Sequence, residues 1–421
     1  MIGKDNNQQK KSGSSTSNHQ SDMFDRIFYS RNPIYYTADL STFAYSLKSS
    51  VPKSLSTEFI SELEYLLTAI SDLKQEIVFD KAKAWMEVTS KKFDKSLDIN
   101  LERRKLIIKL PSDLEMNADT VAALNRYTKK GTQIAIDHEI LMQKMHPLAL
   151  SANIACFDLR GKKTSEITEN FYRIKNESLQ YAAFNVNHWE QLELVKKLGF
   201  QYFSGTLFYK PKPKQNDETT EGKFAVLQLL ARLQSPNVQI EDVNKIIAKD
   251  KSISEKLLSY INNPVFNLRS KVSSVQQALV LLGLNALRRW LLVAVLTEIS
   301  PDSIELMRMA LIRAKMCEQL GETQQKVNTD NNFLIGLFSS LDMLVGRPIE
   351  EIVVKLKLEK AIADSILKFR GAGGIALYGA KAYERGSFDK LSKLPYSTEE
   401  LTHAYKESLK WAQVALASFV R

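Results

Sequence analysis

The stretch Leu106-Ile107-Ile108-Lys109-Leu110 decides the fold of the first half of the chain, because a short apolar run of this kind is typical of a buried strand. Residues 118–130 follow with apolar side chains at three- and four-residue steps, as in a helix, and a second apolar run follows at 133–136. The order strand, helix, strand indicates βα units around a parallel sheet.

Similar short runs recur on both sides of this unit. Eight strand candidates in one half of the chain predict a closed α/β barrel of the TIM type, with segments such as 58–73 in an outer ring of helices. The predicted strands are 27–29, 42–47, 84–88, 106–110, 133–136, 154–157, 181–185 and 202–204.

The second half has helical apolar spacing throughout, which predicts an all-α domain. Asn263-Pro264 and Gly283 interrupt this pattern and are predicted breaks. The predicted helices are 226–233, 240–248, 254–261, 275–282, 284–297, 303–320, 332–345, 349–355, 359–368, 376–384 and 398–418.

A length of 421 residues with 44% hydrophobic content suits two cores. Residues 1–22 are rich in Gln, Ser, Asn and Lys, and we expect a disordered tail there. Residues 212–222 have little to bury and read as a linker. The predicted domains are therefore the barrel at 23–211 and the helical domain at 223–421.

Two cysteines, Cys156 and Cys317, lie far apart without a CxxC partner, so neither a disulfide framework nor a thiolate metal site is indicated. A reducing cytoplasm is the expected compartment. The most apolar segment, 278–296, contains Arg288 and Arg289, and we therefore expect no membrane span.

The formal net charge of +10 invites a nucleic-acid interpretation. Most cations are dispersed among acids, and the densest basic patches, Glu102-Arg103-Arg104-Lys105 and 210–214, are short. A solvated rim or linker is favoured over a phosphate-binding surface.

The barrel half resembles the EAL-type cyclic di-GMP phosphodiesterases from Arg31-Asn32-Pro33-Ile34 to Phe203-Ser204-Gly205. That family holds two divalent cations with carboxylates and an amide at strand ends, and its reaction depends on them. The scaffold of the family persists here in Pro33-Ile34, Leu198-Gly199-Phe200 and Gly205.

The resemblance implies that the chemical residues of the family have been replaced. Neutral residues stand where the family has metal-binding glutamates or the strand lysine, an acid replaces the asparagine, and one acid of the Asp-Asp pair remains. The matching positions are Ser46, Glu87, Asp137, His138, Cys156, Asn187 and Ser204. We expect no catalytic residues, no metal and no cofactor at this site.

Two alternatives remain open for the barrel. Glu87, Asp137, His138 and Asp158 lie near predicted strand ends, where they either form a different metal site or serve in salt bridges and caps; the second is favoured. Cyclic di-GMP binding without hydrolysis is a second alternative, which the loss of the lysine and metal ligands disfavours.

The helical half resembles the HDOD domain, through the run from Ile246 to Asn263 and through the element Val272-Ser273-Ser274-Val275 to Leu282-Gly283. A related metal phosphohydrolase site needs several histidines and aspartates, but His403 is the sole histidine after residue 224. His403 is expected at a helix surface and Trp290 in the core.

The short polar segments of this half have structural interpretations. Asn262-Asn263-Pro264 is expected to cap a helix rather than bind a ligand, and Asp342 to be a helix-surface or hydrogen-bonding residue.

These residues together predict a catalytically inactive, cytoplasmic regulator of bacterial signal transduction that acts through contacts with unidentified signalling proteins. A non-hydrolytic cyclic di-GMP sensor is the alternative. Residual phosphodiesterase activity and nucleic-acid binding are weaker hypotheses.

Overall fold

The computed structural model describes a set of ranges that covers most of both predicted domains. The predicted tail at 1–22 and linker at 212–222 lie outside them, as do the predicted helices at 58–73 and 226–233 and most of 240–248. The described residues are 28–50, 75–88, 105–143, 146–209, 244, 247, 251–299, 304–323 and 329–417.

Eight strands form a closed barrel in chain order. Each predicted strand is present, so the predicted α/β barrel is confirmed. The strands are β1 (Phe28–Tyr36), β2 (Thr42–Ser50), β3 (Lys83–Glu87), β4 (Leu106–Lys109), β5 (Gln133–Asp137), β6 (Ile154–Asp158), β7 (Gln180–Phe184) and β8 (Tyr202–Phe203). Strands β2 to β8 are parallel, each to the next.

Strand β1 is antiparallel to both of its neighbours, β2 and β8. The prediction of a parallel sheet is therefore wrong for this strand. A tight turn explains the difference, since the Tyr36 N–H donates to the Ser41 carbonyl over 2.8 Å and the Asp39 carboxylate accepts from the Ser41 N–H over 2.9 Å. So short a connection can make a hairpin but not a parallel crossover.

Helices follow the parallel strands and cover the barrel from outside. Helix α2 begins at an asparagine cap, in which the Asn117 side chain accepts a hydrogen bond of 3.0 Å from the Thr120 N–H. Among the described residues, the α-helices of this half are α1 (Gln75–Phe79), α2 (Ala118–Lys129), α3 (His138–Leu141), α4 (Thr164–Ile174) and α5 (Trp189–Leu198).

The barrel interior is filled by side chains, so the barrel encloses no pore. Phe43 and Tyr202 stack inside it with ring centroids 3.7 Å apart. The buried interior residues are Ile34, Phe43, Ala44, Trp85, Ile107, Ala135, Ile154, Cys156, Ala182 and Tyr202.

The second half is helical, as predicted, and ends with a long helix. Its helices are α6 (Lys251–Ile261), α7 (Val275–Ile299), α8 (Ile304–Thr323), α9 (Thr329–Phe338), α10 (Leu341–Val345), α11 (Ile349–Leu356), α12 (Lys360–Lys368), α13 (Gly371–Glu384) and α14 (Thr398–Ala417).

Two helix boundaries can be compared with the predictions, one at Gly283 and one after Phe338. The predicted break at Gly283 is present, where φ is 73° and ψ is 164°, a conformation that side chains rarely permit. The single helix predicted over 332–345 is wrong, because α9 ends at Phe338. The Ser339 and Ser340 hydroxyls donate to the Gly336 carbonyl over 2.8 and 3.3 Å and so compete with the helical hydrogen bonds.

The first twenty residues of α7 form a strongly apolar segment. Residues Val275–Ala294 have a mean hydropathy of 1.3, and half of this window is buried in the structure. By length and composition this segment meets the criterion for a membrane span, which core helices of soluble proteins also meet.

A buried ionic cluster lies inside the helical half. The Arg313 guanidinium forms two hydrogen bonds of 2.9 Å to the Glu384 carboxylate and one of 2.8 Å to the Ser340 hydroxyl. Burial, and then the Arg313 charge, lower the pKa of nearby Lys381 to about 8. Burial also raises the pKa of Asp342. The Lys381 ammonium is therefore costly to the folded state at neutral pH.

We expect Lys381→Met to stabilise the fold at pH 7 by about 1–3 kcal/mol. The folded-state pKa of about 8 lies below the ordinary lysine pKa of 10.5, so the protonated amine opposes folding fully below pH 8. The gain should shrink as pH rises from 8 towards 10.5, where the unfolded chain also loses the proton. Urea unfolding at several pH values measures this difference, with the exposed Lys390→Met as control; a gain independent of pH would contradict it.

The helical half packs against the outer face of β1 and β2 through a buried polar network. The Tyr45 hydroxyl donates to the Glu305 carboxylate over 2.6 Å, and Arg308 lies 3.2 Å from the same carboxylate and 3.0 Å from Asp80. The Arg31 guanidinium lies 4.2 Å from the Tyr45 ring centroid. Burial raises the pKa of Tyr45. The network thus connects two strands and a loop of the barrel to α8.

Aromatic contacts extend this interface along β1. Phe28 stacks on Phe388 at 5.3 Å, and Tyr29 meets Tyr405 edge-on at 5.7 Å. The Tyr383 hydroxyl accepts a hydrogen bond of 3.4 Å from the Tyr29 N–H. The two halves therefore share one continuous buried surface.

We expect Glu305→Gln to reduce the free energy of unfolding by about 3 kcal/mol, because it leaves the buried Arg308 without its full counter-charge. Exposed Glu322 lies on the same helix, and Glu322→Gln should change stability by less than about 0.5 kcal/mol. Chemical denaturation of both variants measures the difference. Equal, small effects would show that the network does not stabilise the interface.

Candidate functional site

The carboxyl ends of the barrel strands surround a cavity of about 380 Å³, which is the mouth of the barrel. The helical half also reaches it, through Met309 of α8 and Arg385, which follows α13. Four of the predicted site residues line this mouth: Ser46, Glu87, Asp137 and Ser204.

Lys109 lines the mouth and pairs with two of its acids. It ends β4 two residues after the interior residue Ile107, so strand alternation points it to the same side. Its ammonium lies 3.1 Å from Asp137 and 3.9 Å from Glu87. Burial alone would lower the pKa of Lys109, but the Glu87, Cys156 and Asp137 groups outweigh burial and raise it. The two mouth acids therefore share a positive charge built into the chain.

Asp158, at the end of β6, is paired separately. It accepts a hydrogen bond of 2.8 Å from the Arg160 Nε and another of 2.8 Å from the Asn185 side chain. Burial opposes its ionisation, but the hydrogen bonds from Arg160 and Asn185 lower the pKa of Asp158. Its oxygens are thus engaged by side chains of the protein.

Three predicted site residues, His138, Cys156 and Asn187, do not line the mouth, and the first two are buried. His138 is buried, with Nδ1 3.2 Å from the Cys156 carbonyl and its ring stacked on Phe157 at 4.1 Å. Burial lowers the pKa of His138. The Cys156 thiol lies in the barrel core, where burial raises its pKa. Both residues pack within the fold and do not face the cavity.

The remaining polar positions hold loops together. The Asn187 side-chain oxygen Oδ1 accepts hydrogen bonds of 3.0 Å from the Thr206 N–H and 2.6 Å from the Thr206 hydroxyl. The Ser204 hydroxyl donates to the Pro33 carbonyl over 2.9 Å. These side chains position the segment after β8 against the rim of the mouth.

The alternative metal site is not assembled. Glu87 and Asp137 pair with Lys109, Asp158 pairs with Arg160, and His138 faces away, so salt bridges are the roles that the structure gives these acids. Within the described ranges, no three His, Cys, Asp or Glu side chains are grouped to hold a metal ion.

The singled-out residues of the helical half have structural roles. His403 is exposed on α14, and Trp290 is buried, as predicted. The Asn262 side chain donates to the Leu258 carbonyl over 2.7 Å, which is the predicted capping. The Asp342 carboxylate accepts a hydrogen bond of 2.9 Å from the Met343 N–H.

The cations of the mouth were not among the predicted site residues. The position of Lys109 could have been predicted from the sequence, since it is a charged residue at an inward position of an otherwise apolar strand. Lys48, Met309 and Arg385 also line the cavity. The latter two come from the other half of the chain, and no pattern in the sequence indicates that they meet the barrel.

The fold and the sequence together define the class of protein. Residues 224–358 match the HDOD domain, and they follow a closed eight-stranded barrel. The predicted order, an eight-stranded barrel followed by an HDOD domain, is confirmed.

Two curated relatives span most of the chain. The "Uncharacterized protein YuxH" of Bacillus subtilis is 24% identical over 92% of this chain and 98% of its own length. The "Cyclic di-GMP phosphodiesterase CdgJ" of Vibrio cholerae is 23% identical over 79% of each chain. Among solved structures, an EAL domain protein of Listeria monocytogenes is 14% identical with a TM-score of 0.34, covering 47% of this chain and 94% of that one.

A double-mutant cycle tests the Lys109–Asp137 pair. We expect Lys109→Met and Asp137→Asn to show a coupling free energy of about 0.5–2 kcal/mol, because the two groups are in contact and partly buried. The exposed pair Lys162–Glu166 is the matched control and should couple more weakly. Chemical unfolding of the wild type and the six variants gives both coupling energies, and equal coupling would argue against a special role for Lys109.

Proposed function

We propose that this protein is a catalytically inactive, cytoplasmic regulator in a cyclic di-GMP type of bacterial signalling, and that it acts through contacts with other signalling proteins. The observation that carries the proposal is the Lys109 ammonium between Glu87 and Asp137 at the barrel mouth. It lies among the acids that a divalent cation would need.

Electrostatics supports the absence of metal-dependent hydrolysis. A cation bound to Asp137 at about 2.0–2.6 Å would lie within roughly 6 Å of the ammonium. At an effective dielectric constant of about 20, charges of +2 and +1 at that separation repel by several kcal/mol. Ser46, Cys156 and Asn187 add no carboxylate that would offset this repulsion.

The relatives support the signalling context and leave the chemistry to be tested. The relative from Vibrio cholerae carries the name of a cyclic di-GMP phosphodiesterase. A shared fold does not transfer an activity, since activity depends on the residues of the site. The replaced positions at the mouth therefore favour a regulatory function over hydrolysis.

We expect overnight incubation of the purified chain with cyclic di-GMP and either magnesium or manganese to yield no linear dinucleotide above a protein-free blank, measured by liquid chromatography. Product formed in proportion to protein concentration would overturn the proposed inactivity.

The contact mechanism has a separate test. Affinity capture with the tagged full-length chain, from cells grown in several conditions, should recover the same partner reproducibly, whereas the tag alone should not. Recovery of nothing above the tag control in every condition would contradict regulation through protein contacts.

A non-hydrolytic cyclic di-GMP sensor is the second candidate. The mouth favours it in one respect, since Lys48, Lys109, Arg160 and Arg385 place cations around one cavity and one of them belongs to the helical half. A phosphate ligand there would contact both halves and so favour one arrangement of them. Titration calorimetry with and without magnesium tests this function: saturable heat that Lys48→Ala weakens supports it, and no heat removes it.

A further inference from the structure

The first segment of α7 has apolar side chains on both of its faces. Ala278 and Leu279 are buried in the helical half, whereas Val280 is 78% exposed and Leu281 is 57% exposed. A helix that is apolar all round is normally covered on all sides. Leaving such aliphatic side chains in water forfeits about 1.5–3 kcal/mol each relative to full burial.

The exposed side chains line a groove. A cavity of about 700 Å³ lies between α7 and the loop at 267–271, with Leu268 on its other wall. This volume falls within the range of about 300–1,000 Å³ that is usual for binding pockets.

Hydrogen bonds from side chains to the backbone fix the segment that lines the groove. The Asn262 side chain accepts from the Val272 N–H over 2.8 Å and donates to the Val272 carbonyl over 2.9 Å. The Ser274 hydroxyl accepts from the Gln277 N–H over 3.2 Å and so caps α7, and the Gln277 side chain accepts from the Ser273 N–H over 3.1 Å. A preformed groove loses little conformational entropy when it binds.

The charge of the groove identifies the chemistry of its occupant. Arg269 and Lys271 are its charged lining residues, and no Asp or Glu lines it among the described residues. Both cations are exposed. An apolar floor with a basic rim is complementary to an amphipathic segment that carries leucine-like side chains on one face and carboxylates on the other.

We propose that this groove, formed by Leu268, Arg269, Lys271, Val280 and Leu281, docks an acidic amphipathic helix of a partner protein. The proposal rests on the proposed function and specifies the partner's chemistry. A peptide is favoured over a lipid surface because the apolar residues line a concave cavity together with polar ones such as Gln276, and because, among the described residues, two cations line it.

The first experiment uses a fluorescent 16-residue helical peptide with leucine on one face and glutamate on the other, and a second peptide in which lysine replaces glutamate. Anisotropy with the full-length chain should show saturable binding of the acidic peptide, at least roughly tenfold tighter than the basic one. Val280→Ser should weaken the acidic peptide by roughly tenfold. Val354→Ser, at a 75% exposed valine on α11, should have no effect.

A charge reversal tests the rim. The double variant Arg269→Glu, Lys271→Glu should prefer the basic peptide, because the rim then attracts lysine. No saturable binding up to about 1 mM, or binding that Val280→Ser leaves unchanged, overturns the proposal. Two further results would also overturn it: Val280-dependent co-sedimentation with anionic lipid vesicles would assign the groove to a membrane, and Val280-dependent self-association would assign it to a second copy.

Affinity capture separates this inference from the proposed function. If the wild type and Val280→Ser recover a partner equally, the proposed regulatory function stands and the proposed docking role of the groove is overturned. A partner recovered by the wild type and Val354→Ser but lost from Val280→Ser, together with the acidic-peptide preference, would support both.

Discussion

The contact on which the rest of the structure depends is the buried one between the Tyr45 hydroxyl and the Glu305 carboxylate, at 2.6 Å. Arg308 neutralises this carboxylate and reaches Asp80 of the barrel. Removing one partner from such a network leaves a charge in a low-dielectric interior, so the contact admits few alternative arrangements. It places α8 against the outer face of the antiparallel strands and thereby brings Met309 to the mouth.

The barrel mouth is consequently a shared site. Lys109 pairs with Glu87 and Asp137 from within the barrel, and Arg385 approaches from the helical half. A metal-dependent site would leave its carboxylates open for ions, whereas here the carboxylates of Asp137 and Asp158 are already paired with cations of the chain. This pairing supports the proposal that the mouth presents a surface or holds an anion and does not activate water.

Buried charges in the helical half differ in their effect on stability. The Arg313–Glu384 pair is fully hydrogen-bonded and supports the break between α9 and α10. Lys381 lies beside it with a pKa of about 8, at a cost in stability. The same chain exposes Val280 and Leu281 to water. Unfavourable burial of a charge and unfavourable exposure of apolar surface are both typical of regions retained for binding rather than for stability.

The sequence by itself determined the local elements. Short apolar runs and helical spacing were sufficient for all eight strands, for most helices and for the break at Gly283, because these depend on side-chain periodicity and backbone preference. The tertiary structure decided what lies far apart in sequence. The antiparallel β1 depends on a turn, the placement of Lys109 between Glu87 and Asp137 depends on three strands, and the approach of Arg385 depends on the domain interface. Sequence periodicity does not specify the distance between residues on different elements. That distance is set by how the elements pack in the tertiary structure.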